Sequence, residues 1–253
     1  MTLKLGKLPA TYDHRDLLMA KYLDMSKLPK IPDKFGHEDL VPSWGMLGND
    51  NAGSCVWSGA AHETILWTAE GDPATAVFDD TSVLSDYSAT TGYSASDPNS
   101  DQGTDMHNAM KYRRNTGVLD ANGKRHKIAA YVWLEPGNIQ HLLAATYLFG
   151  AVGVGIQFPN SAMDQFNAGV PWSVVGGSSI EGGHYIPCIA NRNNLVVVTW
   201  GRTQEMTFGF YQKFSDEAVA MLSIESLINT GPLNTIDGIN ISELVKDLGL
   251  LTN

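Results

Sequence analysis

Cysteine is scarce in this chain: Cys55 and Cys188 are the only two. A single possible pair gives no disulfide framework of the kind small secreted domains depend on. With 253 residues the chain is long enough to bury a core without such staples. Positive charge is also short. Lys and Arg total 17 against 27 Asp and Glu, for a net charge of −10 and a pI near 5.0, which argues against nucleic acid and anionic membrane surfaces as partners. Long apolar runs are missing too: residues 142–156 are broken by Thr146, Tyr147 and several glycines, short of the ~20 residues a membrane helix needs. The start of the chain passes into the polar run Tyr12-Asp13-His14-Arg15-Asp16 instead of an apolar core with a cleavage site, so no Sec-type signal is expected. Neither Cys-x-x-Cys, His-Glu-x-x-His nor an acidic calcium-loop spacing occurs, and there is no P-loop. Gly153-Val154-Gly155 continues a strand pattern and opens no helix. No metal and no cofactor is therefore expected. These absences leave a soluble protein, expected in a cytoplasm.

What is present reads as one folded unit. Hydrophobic residues make up 43% of the chain, with 25 glycines and 11 prolines, which excludes disordered and fibrous classes. Residues 1–44 carry Leu8-Pro9, Leu28-Pro29, Ile31-Pro32 and Val41-Pro42, a pattern that suits an extended arm wrapping the body. One helix over Arg15 to Leu23, with Leu17, Leu18, Ala20 and Leu23 on a face, is expected within it. From Cys55 small and apolar positions recur at helical spacing through Val56, Gly59, Ala60, Glu63 and Trp67 until Glu70-Gly71-Asp72-Pro73, which predicts a long central helix. Residues 79–100 read as loop with a short helix near Leu84 to Tyr87. Met106 to Gly117 reads as a helix burying Met106, Ala109, Met110 and Arg113, and Ile139 to Phe149 as one burying Ile139, Leu142, Leu143, Thr146 and Tyr147.

After Gly150 the pattern turns to strands: Ala151 to Phe158, His184 to Ala190, Leu195 to Trp200 and Ala218 to Ile224, with Asn191-Arg192-Asn193-Asn194 as a hairpin turn. Small residues alternating with branched ones at 151–158 imply a closely packed neighbour. Helices come first and antiparallel strands second, an α+β order with the two largely segregated. Residues 45–226 form the body, and 227–253 a C-terminal extension with an amphipathic helix over Asn240 to Leu250.

Chemistry centres on Cys55. A thiol at a helix N-terminus meets unpaired N–H groups and the positive end of the macrodipole, which favour thiolate. Taken alone, Cys55 is equally well a small buried apolar residue. His62 lies two turns further along the helix, about 10 Å along the axis, too far to be its base, and reads as structural. His184 is the better candidate. It follows Gly182-Gly183 at the start of a strand, where the glycines let another surface approach. Cys188, on the same strand face, reads as core.

Four segments in order then carry a resemblance. Gly53-Ser54-Cys55-Val56-Trp57-Ser58-Gly59-Ala60 resembles the nucleophile segment of papain-like cysteine peptidases. Gly182-Gly183-His184-Tyr185 resembles that family's base strand, and Val196-Val197-Val198-Thr199-Trp200-Gly201 its Trp-Gly strand. Ser100-Asp101-Gln102-Gly103-Thr104-Asp105 looks like its cleft-lining segment. The resemblance implies a papain-like α+β fold, a helical subdomain with a long central helix packed against an antiparallel sheet or barrel subdomain. It implies Cys55 as nucleophile, His184 as general base and acid, Trp200 as the shield of the histidine, and Gly103 and Gly183 lining the substrate cleft. A peptide or protein substrate follows.

Two positions depart from the pattern. The oxyanion-hole glutamine is replaced by Asn49, and the asparagine that orients the histidine by Val198, which cannot hydrogen-bond an imidazole. Asn191, Asn193, Asn194 or Glu181 could supply a relocated orienter. The chain also resembles predicted papain-fold proteins of actinobacteria and their phages, through Trp44-Gly45-Met46-Leu47-Gly48-Asn49-Asp50 and Gly59-Ala60-Ala61-His62-Glu63. That resemblance implies a bacterial cytoplasm or a virion. The expected function is a cysteine peptidase or amidase using a Cys–His pair with an altered third residue. The alternative is a catalytically degenerate papain-fold protein with a structural or binding role. The proline-rich arm is expected on the surface; its use as an inhibitory segment in the cleft is the less favoured reading, because it is short for that role.

Overall fold

The computed structural model describes residues 3–71, 75–225 and 241–250. The arm holds α1 (Met19–Tyr22) and β1 (Phe35–Gly36). The body continues with α2 (Cys55–Gly71), α3 (Asp80–Thr91), α4 (Met106–Asn115), β2 (Val118–Leu119), β3 (Arg125–His126), β4 (Ile128–Trp133), α5 (Ile139–Phe149), β5 (Val152–Pro159) and α6 (Asn160–Ala168). Then come β6 (Ile180–Asn191), β7 (Leu195–Thr199), β8 (Arg202–Met206), α7 (Phe208–Phe214), β9 (Ser215–Ser223) and α8 (Ile241–Leu250). A seven-stranded antiparallel sheet runs β4-β9-β5-β6-β7-β8, with β1 added on β6. The architecture is α+β, as the residue patterns predict. Segregation is weaker than expected, since α5, α6 and α7 are interleaved with the strands.

The sheet is covered on both faces, and its period of two decides which residue goes where. Tyr185, Ile189, Val196, Val198, Val219 and Met221 join the core formed with α2 and α4. Ile186, Cys188, Leu195, Val197, Ala218 and Ala220 join the core formed with α5, α6 and α7. Within this frame β6 is the central carrier, longer than expected and buried from His184 onward.

Several local expectations hold, and the departures have physical causes. In α4 the side chain of Asp105 caps Asn108 N–H, and Met106, Ala109, Met110 and Arg113 are the buried positions. Residues 80–91 form a full helix where a loop with only a short helix near Leu84 to Tyr87 is expected. Asp79 and Ser82 close a reciprocal capping box and Gly92 ends the helix at φ 78°, so the polar residues act through the caps. On α5 the buried set is Leu142, Ala144, Ala145, Thr146 and Phe149, and Tyr147 is exposed: small alanines let the helix sit closer to the sheet. The arm helix shrinks to α1, burying Met19 and Tyr22, while Leu18 is exposed. Residues 160–168 and 202–206, which carry no strong periodicity, become α6 and β8. The helix stop at Asp72-Pro73 lies outside the described residues, as does most of the extension over 227–253. In α8, Ile241 and Leu244 are buried. No helix among the described residues is long and apolar enough to cross a membrane.

The arm is not a surface strap over its first residues. Residues 3–8 run through a groove between the Gly103-Thr104 segment and the start of β6. Gly6 N–H and Lys7 N–H both donate to Gly183 O (3.1 and 3.0 Å), Leu8 N–H to Thr104 O (3.0 Å) and Thr104 N–H to Gly6 O (2.8 Å). This overturns the surface placement. The backbone donors of an extended segment need partners, and both groove walls offer unpaired ones.

Candidate active site

Cys55 begins α2, and the turn before it is held from outside. Gly53 N–H donates to both Asp101 carboxylate oxygens (2.9 and 3.1 Å). Tyr87 bridges the same carboxylate to the opposite wall: its hydroxyl donates to Asp101 Oδ1 (2.7 Å) and accepts Gly103 N–H (2.9 Å). Ser54 does not cap, its hydroxyl facing Ala52 O and Ser58. Asp101 and Tyr87 thus couple the thiol loop to the Gly103 wall. Sequence reading passed over both, because only the fold brings Tyr87, on a helix not expected in full, to this carboxylate.

The sulfur lies against β6: Tyr185 N–H donates to Cys55 Sγ at 3.4 Å. Tyr185 follows His184 directly, so the strand that touches the thiol also carries the imidazole; among the described residues no hydrogen bond joins Cys55 to His184 in this closed form. With the arm in place Cys55 is 2% exposed and His184 wholly buried. Burial pushes the thiol up to about 11, while the amides of Tyr185, Gly6 and Val56 and the charge of Lys7 pull the other way. Burial also presses His184 down to about 3. In the closed form burial thus favours the neutral form of each group.

The ring of His184 stacks on Trp200, with centroids 4.4 Å apart and planes 18° from parallel. Trp200 is held at φ 44° and donates its indole N–H to Lys4 O (3.1 Å). His184 Nε2 is 2.7 Å from Thr199 Oγ1, and Nδ1 has no partner among the described residues. Thr199 therefore occupies the place for which Asn191, Asn193, Asn194 and Glu181 were considered. Asn191 donates to Asp33 O and Asn194 to Glu205. Asn193 is exposed in the turn at φ 89°, and Glu181 is exposed. Strand parity explains the result: Thr199 continues the row of Leu195 and Val197, and Val197 pairs with Cys188 on the face that His184 shares. Val198 points to the other core.

Asn49 is buried in the loop before α2, with its amide donating to Ala52 O (3.1 Å) and Lys4 O (3.2 Å). Gly103 and Gly183 mark where the arm backbone touches the walls. A Cβ on Gly103 would lie 2.5 Å from Gly6 O, and one on Gly183 2.2 Å from Lys7 O, so only glycine admits a chain there. His62 is buried with Nε2 3.0 Å from Gly45 O, and Cys188 is buried in the sheet, both as expected for structural residues. Behind the thiol, Glu63 pairs with Arg113 (2.6 Å) and accepts the Tyr185 hydroxyl (2.7 Å). That network ties α2, α4 and β6 together.

No family model matches the sequence, and no curated protein matches it. Solved structures do match by fold. The chain is similar to xylellain, a cysteine protease from Xylella fastidiosa, with TM-score 0.66 and 15% identity over 88% of this chain and 97% of that one. It is similar to the Carica candamarcensis cysteine protease CMS1MS2, solved in complex with E-64 (TM-score 0.57, 12% identity, 76% and 99% covered). It also matches bromelain from Ananas comosus in complex with the E64 inhibitor (0.53, 13%, 76% and 99%). The fold of this chain is that of the papain-like cysteine proteases.

Proposed function

We propose that the chain is a papain-type cysteine hydrolase acting on peptide amide bonds, held closed in this form by residues 3–8. The observation that carries the reading is the helix-start thiol of Cys55 set against the strand of His184, whose ring is roofed by Trp200 and tethered by Thr199. Among the described residues His184 Nδ1 has no partner, so it is the ring atom available to a proton from Cys55. If the Nε2–H donates to Thr199, the tautomer is the one with a basic Nδ1.

In the open cleft the Cys55 proton passes to His184 and the thiolate attacks the amide carbonyl carbon. The oxyanion is held by the Cys55 backbone N–H and by Asn49, whose amide gives up its bond to Lys4 O. His184 then protonates the leaving amine, and a thioester remains. Water, losing a proton to His184, cleaves the thioester and restores the thiol.

The engagement of Asn49 by Lys4 favours one competing reading: a papain-fold structural or binding protein, phage-associated, in which the arm never leaves. Titration with iodoacetamide and with an E-64-type epoxide separates the two. A hydrolase gives Cys55 labelling faster than that of a free thiol once the arm is displaced, cleaves peptide amides, and loses both in Cys55→Ala. Labelling no faster than an ordinary exposed thiol, with biological function intact in Cys55→Ala, refutes it.

A further inference from the structure

Lys7 is a cation with no exposed side-chain surface, lying at the groove's far end. Its ammonium is 3.1 Å from the Asp216 carboxylate and 2.7 Å from Glu217 Oε2, and it donates to Leu8 O at 2.9 Å. Its stem crosses β5 where a side chain would forbid it: a Cβ on Gly155 would lie 2.2 Å from Lys7 Cε. The buried carboxylate of Glu217, the mostly buried one of Asp216 at the start of β9 and a gap in β5 thus form a socket for a long cationic side chain. The occupant belongs to an extended segment that hydrogen-bonds both groove walls through its backbone. The same carboxylates line a cavity of about 480 Å³, with His107, Trp133, Pro136 and His141 among its other walls. Glu217 Oε1 is 4.0 Å from His107 Nδ1, and His107 Nε2 is 3.0 Å from Asp16.

We propose that Asp216, Glu217 and Gly155 form a specificity subsite for a lysine or arginine side chain, and that the peptides this cleft receives carry such a residue there. Lys7 is the subsite's resident occupant and the latch of the closed form. A buried carboxylate left without its cation is strongly unfavourable, so an uncharged or acidic side chain cannot replace it at equal affinity. The proposal rests on the hydrolase reading only for the fate of the peptide after it has bound.

The test uses the full chain carrying Lys7→Glu, which sets a third carboxylate against the first two and expels the arm. Fluorescein-labelled Leu-Lys-Leu-Gly-Lys-Leu, the sequence of residues 3–8, is titrated by anisotropy beside peptides with norleucine or glutamate at the fifth position. The lysine peptide is expected to bind at least about tenfold tighter than the norleucine one. In Asp216→Asn/Glu217→Gln, where Lys7 loses both counter-charges and the arm also releases, the three peptides should bind within about threefold of one another. Equal affinities in the first variant, or a lysine preference that persists in the second, overturn the proposal. Cleavage is followed separately: lysine-selective binding without cleavage removes the hydrolase and keeps the subsite, and cleavage without selectivity does the reverse. A second measurement guards against misfolding. Cys55 alkylation should accelerate in Lys7→Met and stay slow in Lys7→Arg; Lys7→Met labelled no faster than wild type counts against the latch and the subsite together.

Discussion

Replacing Thr199 by valine removes one oxygen from the site and almost nothing else, since the two side chains are nearly isosteric. His184 is wholly buried, and among the described residues its 2.7 Å contact to Thr199 Oγ1 is the one hydrogen bond of its ring, Nδ1 having none. The valine variant therefore leaves both nitrogens of a buried imidazole unpaired. An unsatisfied buried group costs about 1–3 kcal/mol, and in a chain of this size each kcal/mol lowers Tm by about 2–4 °C. A fall of about 5 °C is expected in a thermal melt. The ring also loses the contact that selects its tautomer, so amide hydrolysis by the opened chain should drop by about 10²- to 10⁴-fold, with the pH profile of Cys55 alkylation displaced. Thr199→Ser keeps the hydroxyl and should recover most of both effects. A Thr199→Val chain that melts with the wild type and alkylates with the same pH profile would show that Thr199 does not position His184; so would a serine variant as damaged as the valine one.

Acid should destabilise the closed chain through two buried histidines. His62 and His184 are lowered by burial to about 4 and about 3, so their stabilising effect is complete above the unfolded value near 6.5 and is lost as pH falls toward the folded values. Between pH 6.5 and 5 each contributes a loss of about 1.6 kcal/mol, read as a lower urea midpoint; a midpoint independent of pH in this window contradicts the burial argument. Glu63→Gln strands the buried Arg113 cation at a cost of about 3–5 kcal/mol, with a Tm drop beyond 6 °C on the scale of about 2–4 °C per kcal/mol; a smaller drop means that Met221 or water satisfies the guanidinium. Gly155→Ala places a methyl group against the Lys7 stem and should speed Cys55 alkylation without altering the sheet, measured by far-UV circular dichroism. Unchanged labelling there means that the stem is free to move aside.

Much of the fold is written locally. The start of α2 follows from the small and apolar spacing after Gly53-Ser54, α4 from its Asp105 cap and four-residue stripe, and the β6–β7 hairpin from the asparagine-rich turn. Helix α3 was underread because its two caps, Asp79 and Gly92, bracket a weakly amphipathic run. Strand β8 escaped because it is half exposed and charged, so only its pairing with β7 defines it.

The candidate site divides along the same line. Cys55, His184, Trp200, Gly103 and Gly183 are legible in sequence because each sits in a short run whose residue types are themselves the signal. Thr199 is not, since its relation to His184 depends on the register of β7 against β6, including the irregularity between Cys188 and Ala190. No local pattern encodes a register. The same holds for the arm and for Lys7, which meets Asp216 and Glu217 across more than two hundred residues. Sequence by itself determined most of the principal elements, the papain-like order of the motifs and the two principal candidate residues of the site. Tertiary structure alone decided what side chain meets the histidine, what fills the groove and where the cation goes, because those contacts form only when distant strands and the chain's own beginning are brought to one place.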